Sequence, residues 1–112
     1  MIGIVKDPAH GFVLTIGAGG TLTELLQDSA SILVPSSGKS IKKALTKLRI
    51  YKVLLGYRGA PAANITAIVT AVMAIQDYVL ANADHLQEIE INPLICTPDA
   101  AIAADALIRI VQ

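Results

Sequence analysis

The stretch Glu88-Ile89-Glu90-Ile91-Asn92-Pro93 constrains this chain more than any other, because polar and isoleucine side chains alternate in it without a break. Successive side chains of a strand point to opposite faces. Glu88, Glu90 and Asn92 therefore form one polar row, with neighbours roughly 7 Å apart, while Ile89 and Ile91 face a core. Residues 94–97 extend the pattern to a Pro98-Asp99 turn, and residues 101–108 return as a second strand. If Thr97 stands opposite Ala100, opposed positions sum to 197 and Asn92 lies directly across from Asp105. Their Cβ atoms are then about 5 Å apart on one face. An amide oxygen and a carboxylate at that separation can hold one hard cation. Mg²⁺ typically takes one or two protein oxygens and completes its octahedron with water and phosphate oxygens. The same spacing also describes a solvated polar edge with Asp105 merely ending a strand, and a one-residue bulge at Pro93 would break the register. Spacing alone leaves both readings open.

Upstream, residues 12–16 (FVLTI) read as a buried strand running into the glycine loop 17–20 (GAGG). Residues 21–26 and 30–34 flank Gln27-Asp28-Ser29 and predict a hairpin, with a short helix as the alternative for 21–26. Ile41, Ala44, Leu45 and Leu48 recur at helical spacing among lysines, which predicts an amphipathic helix of about three turns. Residues 56–62 (GYRGAPA) interrupt the chain, and Asn64 then caps a longer helix whose stripe is Ile65, Ile68, Val69, Val72, Ile75, Val79 and Leu80. The resulting order predicts an α+β fold over 1–112, one domain in which two main helices pack on a mostly antiparallel sheet.

Composition removes several classes. With 54% hydrophobic and 16% charged residues, the chain is more apolar and less charged than an average domain. The surplus suggests surface buried against something else, so self-association in isolation is expected. One cysteine, Cys96, excludes a disulfide scaffold and a thiolate metal cluster and favours a reducing, cytoplasmic setting. No stretch approaches the roughly 20 apolar residues that span a bilayer, and the first residues lack the basic start of a signal peptide. The net charge of zero hides a division. Residues 1–58 carry eight basic side chains against three acids, and residues 59–112 carry one against six. Neither half has the basic and aromatic interleaving of a nucleic-acid surface.

The string EIEINPLICTPDAAIAADALI, preceded in order by GAGGTLTELLQD and LLGYRGAPA, closely resembles the C-terminal part of the ATP-grasp domain of NDP-forming acyl-CoA synthetases. These are the acetate-CoA and pimeloyl-CoA ligase-like proteins related to the β subunit of succinyl-CoA synthetase. The resemblance runs from about residue 7 to residue 108. It implies that Asn92 and Asp105 hold the Mg²⁺ bridging nucleotide phosphates, and that Glu90 meets a phosphohistidine loop visiting the nucleotide site. Glu24, following Gly19-Gly20, matches a family glutamate. With Gly19, Gly20 and Arg58 it makes up the candidate nucleotide-side residues, although a plain turn for the glycines and a loop anchor for Arg58 are the simpler readings. The implied reaction joins a carboxylic acid and CoA at the expense of ATP, giving ADP and phosphate, through an acyl phosphate and a phosphohistidine. The family's CoA-binding domain, phosphohistidine segment and N-terminal ATP-grasp half have no counterpart in these 112 residues, so the fragment alone is expected to be inactive. A non-catalytic module, either associated with a protein acetyltransferase or a partner-binding subunit, is the rival.

The remaining signals are weaker. Gly38-Lys39-Ser40 ends like a phosphate loop but has Leu33 where the motif needs glycine. The lysines around residues 39–52 read as a solvated helix face. His10 sits in a Pro-Ala-His-Gly loop unlike the family's phosphorylated segment, His85 reads as a surface residue, and Cys96 as a small buried hydrophobe.

Overall fold

The computed structural model describes residues 1–19 and 27–111. Among these described residues, seven strands and three helices follow in the order β1 (Ile2–Asp7), β2 (Gly11–Gly17), β3 (Ser29–Leu33), α1 (Gly38–Thr46), α2 (Tyr51–Leu54), α3 (Ile65–Ala81), β4 (Leu86–Ile91), β5 (Leu94–Cys96), β6 (Ala101–Ala103) and β7 (Ala106–Ile110). Five strands form one antiparallel sheet in the order β3-β2-β1-β4-β7, and β5 pairs with β6 in a separate two-stranded sheet. This is the expected α+β architecture.

Alternation assigns the two faces of the main sheet. Ile2 and Ile4 of β1, Leu14 and Ile16 of β2, and Ile89 and Ile91 of β4 all point to one side, where Ile41, Ala44 and Leu45 of α1 and Ile68, Val72 and Val79 of α3 cover them. The helices start where capping chemistry permits. The Ser37 hydroxyl accepts from the Ser40 N–H at 3.1 Å, and Asn64 Oδ1 accepts from the Ala67 N–H at 2.9 Å. The opposite face carries no helix among the described residues; it presents Val5, Leu33 and Leu107 to the outside, beside a row of polar side chains. No described helix is long and apolar enough to cross a membrane.

Two expectations need correction, and a third falls partly outside the described residues. Residues 2–7, read at the sequence level only for a targeting signal, form the central strand; six residues containing a glycine are too few for alternation to announce itself. Residues 30–34 do form a strand, but β3 pairs along β2, and the predicted hairpin partner at 21–26 lies outside the described residues. The two long C-terminal strands are each divided, β4 from β5 at the cis Asn92-Pro93 bond and β6 from β7 at Ala104-Asp105.

One buried polar group fastens the helical layer. Gln76, 2% exposed, accepts from the Ser36 N–H and donates to the Ser36 carbonyl, both at 2.8 Å, so its amide continues the loop after β3 as a strand would. Gln76→Leu leaves two backbone groups unsatisfied and is expected to cost about 2–3 kcal/mol in urea unfolding.

Candidate metal and nucleotide site

The register of the C-terminal strands decides where the predicted residues meet. In β4 and β7, Glu88 pairs with Arg109, Glu90 with Leu107 and Ile91 with Ala106; in β5 and β6, Leu94 pairs with Ala103 and Cys96 with Ala101. Each of these pairs sums to 197, so the register crosses the Pro93 interruption without a slip. The Asn92 N–H donates to the Asp105 carbonyl at 3.2 Å, and the Ala104 N–H donates to Pro93 at 3.1 Å. Asn92 and Asp105 are thus opposed and, by strand alternation, share the face opposite α1 and α3. Asp105 Oδ1 accepts from the Ala106 N–H at 2.9 Å, which fixes the carboxylate while leaving lone pairs on both oxygens.

Gly19 belongs to the same corner. Its φ of +86° requires glycine, and a Cβ there would stand 3.3 Å from Asn92 Oδ1. The expected glycine loop thus reaches the candidate ligand through Gly19; Gly20 and Glu24 lie outside the described residues. Backbone bonds between Met1 and Gly17, at 2.8 and 3.0 Å, hold the start of this loop to β1.

The two glutamates of the row differ. Glu88 pairs with Arg109 across the strands at 3.5 Å. Glu90 makes no ion pair or side-chain hydrogen bond among the described residues, so its carboxylate stays available next to the Asn92–Asp105 pair. Arg58 has φ +48° in the tight turn that brings Tyr57 against Ala60, and its exposed guanidinium lies 5.3 Å from the Tyr57 ring centre. No described bond joins Arg58 to Asn92, Asp105 or Glu90. His10 sits in the β1–β2 turn, beyond the end of β1 that lies away from Asn92, with Nδ1 3.3 Å from Asp7 Oδ1. Backbone N–H donation from Ala9, with the smaller contribution of His10, lowers the Asp7 pKa.

An apolar cavity of about 150 Å³ lies behind the loop, lined in part by Ile16, Leu45, Leu48, Ile50, Leu54 and Cys96. Burial raises the Cys96 pKa, only partly offset by the nearby amino terminus. The unfolded chain therefore gives up this proton at lower pH than the folded one. The contribution to stability is intact below the ordinary thiol pKa and is lost as pH rises through the folded value. Alkylation of Cys96 by iodoacetamide at pH 8 is expected to be several-fold slower than that of a free cysteine; an equal rate contradicts this reading.

Sequence reasoning missed two features. Asp28, read as a turn former, is 5% exposed and accepts from the Arg49 and Ile50 N–H groups at 2.6 and 2.9 Å. Gly3 faces Thr15 on one side and Glu90 on the other; a lone glycine between Ile2 and Ile4 was its signal once β1 is recognised.

The sequence profile of the ATP-grasp domain matches residues 1–110. The chain belongs to the ATP-grasp family. This ATP-grasp chain is 31% identical over 110 residues to the β subunit of ADP-forming acetate–CoA ligase II of Pyrococcus furiosus, covering 96% of itself and 47% of that subunit. It is also 31% identical over 112 residues to a trans-feruloyl-CoA synthase from an unknown prokaryotic organism, covering 98% of itself and 16% of the synthase. The structure of dinucleotide-forming acetyl-coenzyme A synthetase 1 of Ca. Korarchaeum cryptofilum, in complex with coenzyme A and Mg-AMPPCP, superposes with a TM-score of 0.90 at 28% identity, over 98% of this chain and 51% of the other. In that complex the phosphohistidine segment points towards the nucleotide-binding site. The ATP-grasp chain therefore spans about half the length of the Pyrococcus subunit and of the Korarchaeum chain.

Proposed function

We propose that this chain is the C-terminal half of an ATP-grasp domain in an ADP-forming acid–CoA ligase, where it supplies one wall of the Mg²⁺–nucleotide site. The observation that carries the reading is the opposed pair Asn92 and Asp105 on the sheet face away from α1 and α3, with Glu90, which has no ion pair among the described residues, one step away on the same strand. The donor set fits the metal: one amide oxygen and one carboxylate are hard ligands, and two protein oxygens are what Mg²⁺ typically takes beside phosphates and water. Asn92 and Asp105 would hold the ion, which when bound neutralises charge on the nucleotide phosphates.

The chain's own groups do the rest by position. Glu90 accepts the N–H of an incoming imidazole, orienting the ring and favouring its charged form. Gly19 keeps a side chain from crowding Asn92. The carboxylic acid, CoA and the histidine segment come from a CoA-binding domain and an N-terminal ATP-grasp half, on the same or a partner chain. The outward apolar residues Val5, Leu33 and Leu107 lie on the same sheet face as the site, Leu107 directly opposite Glu90, which supports a partner surface closing over this face.

The test is a coupled CoA-thioester assay over short carboxylic and dicarboxylic acids, using the chain assembled with those partners. ADP release that depends on acid, CoA and Mg²⁺, lost in Asn92→Ala with folding intact, is the expected result. Unchanged turnover in that variant sinks the reading.

A further inference from the structure

Gly3 occupies the middle of the central strand, a position where glycine weakens a sheet. The usual structural reasons for a strand glycine are absent. The register passes through it without a bulge, from Ile2↔Ile16 through Gly3↔Thr15 to Ile4↔Leu14, and on the other side from Ile2↔Ile91 to Ile4↔Ile89. Its φ is not positive, unlike those of the glycines at 11, 19, 56 and 59. A Cβ built on it meets nothing closer than Met1 Sδ at 3.7 Å and the Ile89 carbonyl at 4.0 Å, both ordinary contacts. Neither backbone conformation nor packing within the described residues demands glycine here. What remains is close approach by a group beyond the described residues, and a visiting side chain is one that the neighbouring carboxylate would receive.

The neighbours define the notch. Ile2 and Ile4 point into the core, so position 3 faces the side away from α1 and α3. It lies directly between Thr15 on β2 and Glu90 on β4. Thr15 Oγ1 lies 2.9 Å from Ser31 Oγ, so the far wall is a pair of linked hydroxyls and the near wall a free carboxylate. The row is two residues along β4 from Asn92, roughly 7 Å. A group bound over it therefore sits beside the metal and phosphates rather than on them.

We propose that Gly3 is a positioning residue: it leaves β1 bare so that the imidazole ring received by Glu90 can lie against the strand, with the Thr15–Ser31 hydroxyls closing the far side. This rests on the reading of Glu90 given above. A β-branched side chain at position 3 fills the notch without disturbing the fold.

The experiment compares Gly3→Val and Gly3→Ala with the parent in the assembled protein, reading thermal midpoint, the KM for ATP and the rate of acid-labile histidine phosphorylation from γ-labelled ATP. Gly3→Val is expected to keep or raise the midpoint, hold KM within about two-fold, and slow histidine phosphorylation at least ten-fold, with Gly3→Ala intermediate. If Gly3→Val misfolds, Gly3→Ala, whose methyl has room, carries the comparison. Phosphorylation at the parental rate in a folded variant overturns the proposal, as does a loss confined to KM, which would make the notch part of the nucleotide seat. Asn92→Ala separates the two claims: if it is inactive while Gly3→Val is normal, the metal site stands and only the notch falls.

Discussion

Asp105→Ala is expected to lower acyl-CoA formation about 1000-fold in the proposed acid–CoA ligase while leaving the fold intact. Asp105 supplies the only formal charge of the proposed ligand pair, and its partner Asn92 offers a neutral amide. Charge stabilisation by a bound metal is typically several kcal/mol, and each 1.4 kcal/mol is about tenfold in rate. The structural cost is small, because Asp105 is exposed and the single bond its carboxylate makes, to the Ala106 N–H, can pass to water. Asp105→Asn keeps that bond and an oxygen ligand but removes the charge. It should be partly restored by raising Mg²⁺, which a residue serving only to shape the strand end would not show. Near-parental turnover in Asp105→Ala would remove Asp105 from the site.

The largest effect on stability is expected at Asp28, far from any acid pair in the sequence. Asp28→Ala strips partners from two backbone N–H groups, those of Arg49 and Ile50, where the chain passes from α1 to α2. Each buried donor left unsatisfied costs about 1–3 kcal/mol, so a loss of roughly 3 kcal/mol and a midpoint fall on the order of 10–20 °C are expected. The Ala18 N–H also bonds the Asp28 carbonyl at 3.1 Å, which connects this anchor to the loop carrying Gly19. Asp28→Asn retains an acceptor oxygen and should lose less. Urea titrations of both variants decide the matter; equal stability of Asp28→Ala and the parent would show that the buried carboxylate holds nothing.

The legible parts of the site share a physical cause. Alternation over residues 88–92 and a turn at 98–99 specify which residues oppose one another, since a slip of one position would turn Ile89 and Ile91 to the outside. Asn92 opposite Asp105 follows from those two facts, and the register obeys them on both sides of Pro93. The helix over 65–81 was equally accessible, because Asn64 caps it and its apolar stripe is long. Glu90's availability was not. Glu88 and Glu90 are equivalent in the string and differ only because Arg109 arrives opposite one of them and Leu107 opposite the other.

By itself, then, the sequence determined the elements whose signals are local: the C-terminal register, the amphipathic helix, the Asn64-capped helix and the family resemblance carried by such strings. Tertiary structure alone decided which strand lies at the centre, which face α1 and α3 cover, and what surrounds Gly3, Gln76 and Asp28. Those depend on contacts between segments distant along the chain. Gly3 meets Glu90 across 87 positions, and no periodicity within either segment carries information about the other.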